Sequence, residues 1–243
     1  MPLQLIGGRP TQMVNHGKTL VYEIGTLGDT VITMPALKAV RRHFGPLAHI
    51  VLMHDKPQKG IIGTPLDVLG GLGLIDEFMS YEMPERSYLR PFSMIALALK
   101  IRSKQFQSVI YLAPSERSSA KVIRDAFFFR LCGIHKQIGF HTFPDGSLYP
   151  VDEHGLPAYV QHEAMFRLER IRMDGIDCSL ESDLSKPFLT VPKNAVEEAR
   201  KWLNRHRIDP GKPLVALCPG CKQPANIWPI DRFIEIGRRL VRQ

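Results

Sequence analysis

Residues 19–44 read TLVYEIGTLGDTVITMPALKAVRRHF and carry the clearest structural pattern of the chain. Its beginning, Leu20–Ile24, is mostly apolar, ends at a glycine and is too short for a helix, so it predicts a buried strand. The glycine-containing segment Gly25–Asp29 turns the chain, and apolar side chains then recur at helical spacing over residues 37–44. A strand, a glycine turn and a helix form the first half of a βαβ unit, a type of fold that binds ligands beyond the carboxyl ends of its strands.

Asp29 closes this turn, and its position allows two interpretations. An acidic residue at a helix start is a favoured cap. A carboxylate at the ligand-binding edge of a parallel sheet is also a candidate for catalysis. The residues alone leave both interpretations open.

Strands and helices alternate outward from this stretch along the whole chain. The predicted strands after the first are Ala48–Met53, Glu77–Tyr81, Ser108–Ala113, Lys136–Phe140, Pro187–Val191 and Pro213–Cys218. The further predicted helices are a short one near 66–69 and longer ones at Tyr88–Lys104, Ala120–Leu131, Gln161–Met173, Asn194–Arg207 and Asp231–Val241. This alternation predicts an α/β fold with a doubly wound parallel sheet.

The turn-rich stretch 175–190 predicts a domain boundary. We expect a lead-in over 1–17, one complete doubly wound domain over 18–180, and the start of a second Rossmann-like domain over 181–243. Two strands and two helices bury too little apolar surface to stand alone. We therefore expect the second domain to be truncated.

Composition excludes several classes of protein. The chain has 243 residues, 44% hydrophobic and 23% charged, which is typical of a globular rather than a disordered protein. The longest apolar segment, Phe92–Leu99, is far too short to span a membrane. Four cysteines without a secretion signal predict reduced thiols and a cytoplasmic location.

The net charge of +8 favours anionic partners. No long run of Lys or Arg marks a nucleic-acid-binding tail, so we expect no nucleic-acid partner. A solvated helix face explains most of the basic residues, which are spread along the chain: Arg41, Arg42, Arg117, Lys121, Arg124, Arg167, Arg170 and Arg172.

Two motifs resemble those of glycosyltransferase family 9, which contains the ADP-heptose:lipopolysaccharide heptosyltransferases. Residues 24–44, IGTLGDTVITMPALKAVRRHF, look like the N-terminal signature of that family, and residues 217–233, LCPGCKQPANIWPIDRF, resemble its second-domain signature. A third stretch, Gln161–Glu163, is similar to a family segment near the end of the first domain.

This resemblance implies a GT-B-like fold with a cleft between two Rossmann-like domains. It implies that 18–180 binds the acceptor and that 181–243 begins the nucleotide-sugar-binding domain. The implied reaction is inverting transfer of a heptose-type sugar from a nucleotide-diphosphate donor, ADP-heptose, to a lipopolysaccharide core acceptor. Asp29 matches the proposed general base of the family, a role that suits a carboxylate within reach of a sugar hydroxyl.

The resemblance also implies the remaining partners and binding residues. It implies no cofactor and no metal beyond the nucleotide sugar, an anionic glycolipid acceptor, and peripheral contact with the inner face of the cytoplasmic membrane. The implied donor-binding residues are Gly220, Lys222, Asn226 and Trp228. The implied acceptor-binding residues are Thr26, Leu27, Gly28, Arg117, Lys121 and His162, and we expect an anion-binding surface around Arg117, Lys121 and Arg124.

Two positions depart from the pattern of the family. Asn226 stands where many members carry a lysine facing the donor phosphates, and an amide cannot neutralise charge. Tyr111 stands where members often carry an aspartate. These differences bear on donor affinity and on acceptor recognition.

Competing interpretations remain open. The pair Cys218 and Cys221 has the spacing of a redox or zinc motif, but no second pair of ligands follows. His162 could simply occupy a solvated helix start, and the loop at Gly220 could be an ordinary strand-to-helix connection. Another Rossmann-type enzyme using NAD is an alternative, although the first turn lacks the Gly-x-Gly-x-x-Gly fingerprint. A further alternative is a non-catalytic lobe that binds an anionic glycolipid.

Overall fold

A computed structural model describes residues 17–56, 63–84, 86–114, 117–141, 153–154, 162–178, 191, 193–209, 211–220 and 227–241. The chain divides into two units, Met1–Leu189 and Thr190–Gln243. The domain roles that the family resemblance implies stay predictions.

The first unit is built on a five-stranded sheet with the order β3-β2-β1-β4-β5. All neighbouring strands in it are parallel. The strands are β1 Thr19–Tyr22, β2 Ile50–Asp55, β3 Glu77–Tyr81, β4 Ser108–Tyr111 and β5 Lys136–Ile138. The predicted α/β fold with a doubly wound parallel sheet is confirmed for this unit.

Helices cover both faces of this sheet. They are α1 Leu27–Phe44, α2 Pro65–Leu69, α3 Arg90–Ser103, α4 Ser119–Leu131 and α5 Glu163–Arg172, with a short 3-10 helix at Ser87–Leu89. Buried side chains of α1, α2 and α5 form a core on one face, and those of α3 and α4 form a core on the other. Strand β1 lies in the middle with both faces covered, which explains its nearly continuous apolar sequence.

The order of the strands reverses between β1 and β4. From β1 the chain moves through β2 to β3 at one edge, and then returns to the other side of β1 with β4 and β5. In open α/β sheets, ligands bind at this switch point, in the crevice beyond the carboxyl ends of the strands. We therefore expect the ligand site of this unit at the segments that follow β1 and β4.

The interpretation of Arg167 and Arg170 as solvated side chains is wrong. The two residues are 0% and 2% exposed, respectively. Both lie on α5, which packs against α1. Arg172 of the same helix is half-exposed, as predicted.

The second unit contains two described helices, α6 Lys193–Arg205 and α7 Ile230–Val241. The predicted strand at Pro213–Cys218 is wrong, because residues 213–218 have no strand pairing. A strand is defined by hydrogen bonds to a neighbour, and among the described residues of this unit none belongs to a strand. The strand predicted at Pro187–Val191 lies outside the described residues except for Val191.

Candidate active site

The segments after β1 and β4 lie side by side at the switch point. The backbone N–H of Leu112 donates to the carbonyl oxygen of Tyr22 at 2.9 Å, which continues the pairing of the two strands past their ends. The first segment leads to Asp29 and the second to Arg117. The topology thus brings two predicted site residues to the same edge of the sheet.

Asp29 is the third residue of α1, and one of its carboxylate oxygens caps the helix. The backbone N–H and the hydroxyl of Thr26 both donate to Oδ2, at 2.6 and 2.9 Å. The other oxygen, Oδ1, lies 3.7 Å from Nη2 of Arg167, and the side chain is 30% exposed. Asp29 therefore caps the helix with one oxygen while it keeps a second oxygen at the ligand-binding edge.

Gly25 allows this arrangement because it has no side chain. Its φ is +144°, a conformation that favours glycine. A Cβ atom at this position would lie 2.4 Å from Oδ2 of Asp29. The close approach of the backbone to the carboxylate thus requires glycine.

Arg167 connects the beginnings of α1 and α5 and is completely buried. Its Nη1 donates to the backbone carbonyl of Asp29 at 3.3 Å and to the hydroxyl of Thr33. Its Nε donates to Oε1 of Glu163 at 3.1 Å. A buried guanidinium with this many partners holds the backbone and side chain of Asp29 in place.

Glu23 lies beside this cluster and is only 2% exposed. Neither of its carboxylate oxygens has a hydrogen-bond partner among the described residues. The nearby hydroxyls of Thr30 and Thr33 donate instead to the carbonyl oxygens of Thr26 and Asp29, at 3.4 and 2.7 Å. Burial raises the pKa of Glu23 to about 7, although the positive charge of Arg167 opposes the rise. The acid therefore titrates near neutral pH, as perturbed groups at functional sites often do.

A cavity of about 450 Å³ opens on the opposite face of the sheet. Residues from the carboxyl ends of β1, β2 and β3 and from α3 and α4 line it. Most of these side chains are aromatic or thioether groups, among them Tyr22, Met53, Tyr81, Met94, Phe128 and Phe129. Three arginines, Arg90, Arg117 and Arg124, add positive charge. A cavity of this size with an apolar floor and a few polar groups is typical of a small-molecule site.

Asp125 forms the centre of the polar wall of this cavity. Its carboxylate is 2.5 Å from Nη2 of Arg117 and 2.7 Å from Nη2 of Arg124, and it accepts from the Tyr111 hydroxyl at 2.9 Å. Burial raises the pKa of Tyr111, and the charge of Asp125 adds to the rise, so the phenol stays a neutral donor. Asp125 pairs with both Arg117 and Arg124 and offsets one of their two positive charges, and Lys121 is exposed. The anion-binding role of this surface stays a prediction.

The other predicted acceptor residues lie at two helix starts. Thr26, Leu27 and Gly28 open α1 beside Asp29. His162 is the N-cap of α5 and is exposed, and its Nδ1 accepts from the backbone N–H of Ala164 at 3.2 Å. A capping role is thus visible for His162, and its role in acceptor binding stays a prediction.

The predicted donor residues belong to the second unit. Gly220 and Trp228 are exposed. The ring of Trp228 packs edge-on against the ring of Phe233, with 5.2 Å between the ring centroids. Lys222 and Asn226 lie outside the described residues. Within the described part of the chain, no three His, Cys, Asp or Glu side chains cluster as metal ligands do, and no helix has the length and apolar character needed to cross a membrane.

Three residues of the site were missed by the reasoning from sequence: Glu23, Arg167 and Asp125. Glu23 is the single acid in the mostly apolar stretch Leu20–Ile24, a signal that could have been used. Arg167 stands between the apolar residues Phe166 and Leu168 and lies four residues after Glu163, which also suggests a buried ion pair. The pairing of Asp125 with Arg117 depends on tertiary structure and has no comparable signal.

Comparison with known proteins gives structural neighbours only. No protein-family model matches the chain, and no curated protein matches it either. A glycosyltransferase family 9 structure from Veillonella parvula is similar with a TM-score of 0.59 and 20% identity, over 92% of this chain and 59% of that one. Two structures of the E. coli heptosyltransferase WaaC are also similar, at 15% and 14% identity with TM-scores of 0.47. One was solved with ADP and the other with ADP-2-deoxy-2-fluoro heptose. The similarity covers 92% and 90% of this chain, respectively, and 64% of each neighbour.

The first likeness shows that the chain shares its fold with a solved glycosyltransferase of family 9. The chain spans about three-fifths of the length of that structure. At 20% identity the likeness concerns the fold alone, and activity has to be argued from the residues of the site.

Proposed function

We propose that the protein is an inverting glycosyltransferase, which transfers a heptose-type sugar from a nucleotide-diphosphate donor to a lipopolysaccharide core acceptor. Asp29 is the general base in this proposal. The observation that carries it is the divided role of the Asp29 carboxylate at the switch point: Thr26 fixes Oδ2, Oδ1 faces Arg167 at 3.7 Å, and the side chain is 30% exposed. The fold shared with a family 9 glycosyltransferase supports the class of reaction.

The chemistry needs one proton acceptor beside the attacking hydroxyl. A sugar hydroxyl is a weak nucleophile, and Oδ1 of Asp29 takes its proton while the oxygen bonds to the anomeric carbon of the donor. The bond from that carbon to the donor diphosphate breaks in the same displacement, so the anomeric configuration inverts. The diphosphate leaves with the bonding electrons and needs cations or N–H groups to stabilise its charge.

Arg167 positions the base in this proposal. Arg167 holds the Asp29 backbone and faces Oδ1, which limits the orientations that the carboxylate can adopt. Holding a catalytic group in one geometry lowers the barrier, because less freedom is lost in the reaction itself.

We assign the acceptor and the donor to the binding residues that the family resemblance implies. The acceptor lies beside Thr26, Leu27 and Gly28, and the cavity with Arg117 at its wall is available to part of it. The diphosphate of the donor meets Gly220, Lys222, Asn226 and Trp228 of the second unit. The nucleotide sugar is a substrate, so the proposal includes no cofactor.

The test is a transfer assay with chemically defined substrates. The protein is incubated with ADP-heptose and with a core glycolipid that lacks heptose, and the glycolipid is analysed by mass spectrometry. We expect a product heavier by one heptose residue, and nuclear magnetic resonance of that product should show the inverted anomeric configuration. Omission of the donor and replacement by UDP-glucose are the controls. An unchanged glycolipid together with free heptose would contradict transfer to this acceptor.

A further inference from the structure

The polar wall of the cavity has its acceptors occupied. Three arginines and one acid, Asp125, lie among the lining residues, so positive charge is in excess. The carboxylate of Asp125 accepts five hydrogen bonds, which come from Tyr111, Arg117 and Arg124. A carboxylate offers about four lone-pair sites. Asp125 therefore has no acceptor left for a ligand in the cavity.

Several donors of the same wall have no acceptor within the described part of the chain. Arg117 and Arg124 contact Asp125 through Nε and Nη2, which leaves Nη1 of each without a hydrogen-bond partner there. Arg90 uses only Nε, which donates to the carbonyl oxygen of Pro84 at 3.3 Å. A guanidinium group has five N–H donors and no acceptor. A ligand that satisfies this wall must therefore supply acceptor atoms, and a negative charge suits it best.

Two phenols add one further donor to the lining. The hydroxyl oxygens of Tyr22 and Tyr81 are 3.0 Å apart, so one hydroxyl donates to the other. Burial raises the pKa of both phenols, and both keep their protons. The second hydroxyl hydrogen has no acceptor among the described residues. It is available to an oxygen atom of a ligand.

The remaining lining is suited to a ring system. The rings of Tyr22 and Phe129 lie edge to face with 5.3 Å between their centroids, and those of Phe128 and Phe129 do so at 5.5 Å. The thioethers of Met53 and Met94 lie in the same lining. Edge-to-face and sulfur–aromatic contacts favour an aromatic body over a flexible alkyl chain. The volume of about 450 Å³ falls in the range of small-molecule sites, roughly 300–1,000 Å³.

We propose that this cavity binds a small aromatic anion of the fused-ring carboxylate class. Its carboxylate accepts charge-assisted hydrogen bonds from Arg90 and Arg117, and its rings pack among the aromatic and thioether side chains. A sugar ring matches this lining poorly, because the hydrogen of each hydroxyl also needs an acceptor. The sugar part of the proposed acceptor therefore stays outside the cavity, on the side of Asp29. Binding of the anion does not rest on the proposed function.

Isothermal titration calorimetry with 2-naphthoate tests the proposal without donor or acceptor. We expect saturable binding of one 2-naphthoate per chain. The alcohol 2-naphthylmethanol has the same rings without the charge, and it should bind roughly tenfold or more weakly, because the charge-assisted hydrogen bonds are lost. Octanoate has the carboxylate without the rings, and it should also bind more weakly than 2-naphthoate.

Two pairs of variants locate the ligand on the protein. Met94→Trp fills the cavity and should lower the affinity for 2-naphthoate by roughly tenfold or more, because core-like sites do not accept extra volume. Ile95→Trp is its control, at the next residue of α3, which is 59% exposed and does not line the cavity. Arg90→Gln should lower the affinity for 2-naphthoate by roughly tenfold and leave that for 2-naphthylmethanol unchanged. Arg102→Gln, at an exposed residue of α3 outside the lining, is the matched control and should change neither affinity.

Four results would overturn the proposal. They are the absence of saturable 2-naphthoate binding, equal affinities for 2-naphthoate and 2-naphthylmethanol, tighter binding of octanoate than of 2-naphthoate, and equal 2-naphthoate affinities in Arg90→Gln and Arg102→Gln. Arg90 is exposed, so this last comparison remains decisive even where Met94→Trp fails to fold. A failed transfer assay with intact 2-naphthoate binding would count against the proposed reaction alone.

Discussion

Nη2 of Arg167 lies 3.7 Å from Oδ1 of Asp29, and the pair joins a completely buried cation to a carboxylate that is 30% exposed. The two residues are 138 positions apart in the chain. Their contact ties the last described helix of the first unit to the turn after its first strand. The orientation of the proposed base thus depends on a residue that no local motif contains.

We predict that Arg167→Met destabilises the protein by about 3–5 kcal/mol, because it leaves the buried carboxylate of Glu23 and the partly buried carboxylates of Asp29 and Glu163 without their cation. Chemical denaturation with urea measures the change. Arg172→Met on the same helix is the control, since that side chain is 52% exposed and its ion pair with Glu169 should contribute less than about 1 kcal/mol. Equal effects of the two substitutions would contradict the role assigned to Arg167.

We predict that Glu23→Gln stabilises the protein at pH 8 and has little effect at pH 4. The folded pKa of Glu23, about 7, lies above the ordinary glutamate value of 4.5. Between these values the folded state holds a proton that the unfolded state has lost, so stability decreases as pH rises through the folded pKa. Each pKa unit corresponds to about 1.4 kcal/mol, so the advantage of the variant should grow by about 3 kcal/mol between pH 4 and pH 8.

The measurement is the free energy of unfolding of both proteins across this pH range. Subtracting one curve from the other removes the titration of groups that the two proteins share. A difference that does not change with pH would show that Glu23 ionises at its ordinary pKa.

Arg117 and Arg124 contact the same carboxylate but should contribute very differently to stability. Arg117→Ala leaves Asp125 buried beside the cavity, and we predict a loss of about 3–5 kcal/mol. Arg124 is 66% exposed, against 15% for Arg117, so Arg124→Ala should lower stability by less than about 1 kcal/mol. Thermal unfolding of the two variants side by side checks the prediction, and the reverse ranking would contradict it.

We predict that Gly25→Ala reduces activity as well as stability. The added Cβ would meet Oδ2 of Asp29 and push the carboxylate out of its position on Thr26. Gly45→Ala is the control: its φ is also positive, at +82°, but nothing lies within 4 Å of the added atom. Both variants should lose about 1 kcal/mol or more of stability through backbone strain. Only Gly25→Ala should reduce the transfer rate, so an equal rate in both variants would argue against the arrangement.

The fold of the first unit was predictable because each element has a strong local pattern. The buried run before Gly25 and the helical spacing after it gave β1 and α1, and the strand Glu77–Tyr81 was predicted with its observed bounds. The prediction of a strand at Pro213–Cys218 is wrong, because an apolar run indicates burial, whereas a strand also needs a hydrogen-bonded neighbouring strand.

The site was predictable only in part. Asp29 follows from its place in the turn, and both of its predicted environments, the helix start and the edge of the sheet, are present. Arg167 was interpreted as a surface charge because basic residues usually are. Its burial follows from the packing of α5 on α1, a long-range contact that the local sequence does not encode.

The transfer rate of Asp29→Asn, compared with that of Asp67→Asn, shows whether Asp29 acts as the general base. Asp67 accepts from the N–H and hydroxyl of Thr64 at 2.6 and 2.9 Å, the same distances with which Thr26 binds Asp29. Asparagine retains an oxygen for the cap in both variants, so the lost carboxylate at Asp29 is the difference under test. With ADP-heptose and a heptose-free core glycolipid, we predict that Asp29→Asn lowers the rate roughly 10²–10⁴-fold and that Asp67→Asn leaves it unchanged. Near-normal turnover by Asp29→Asn would show that Asp29 caps its helix and does not act as the base.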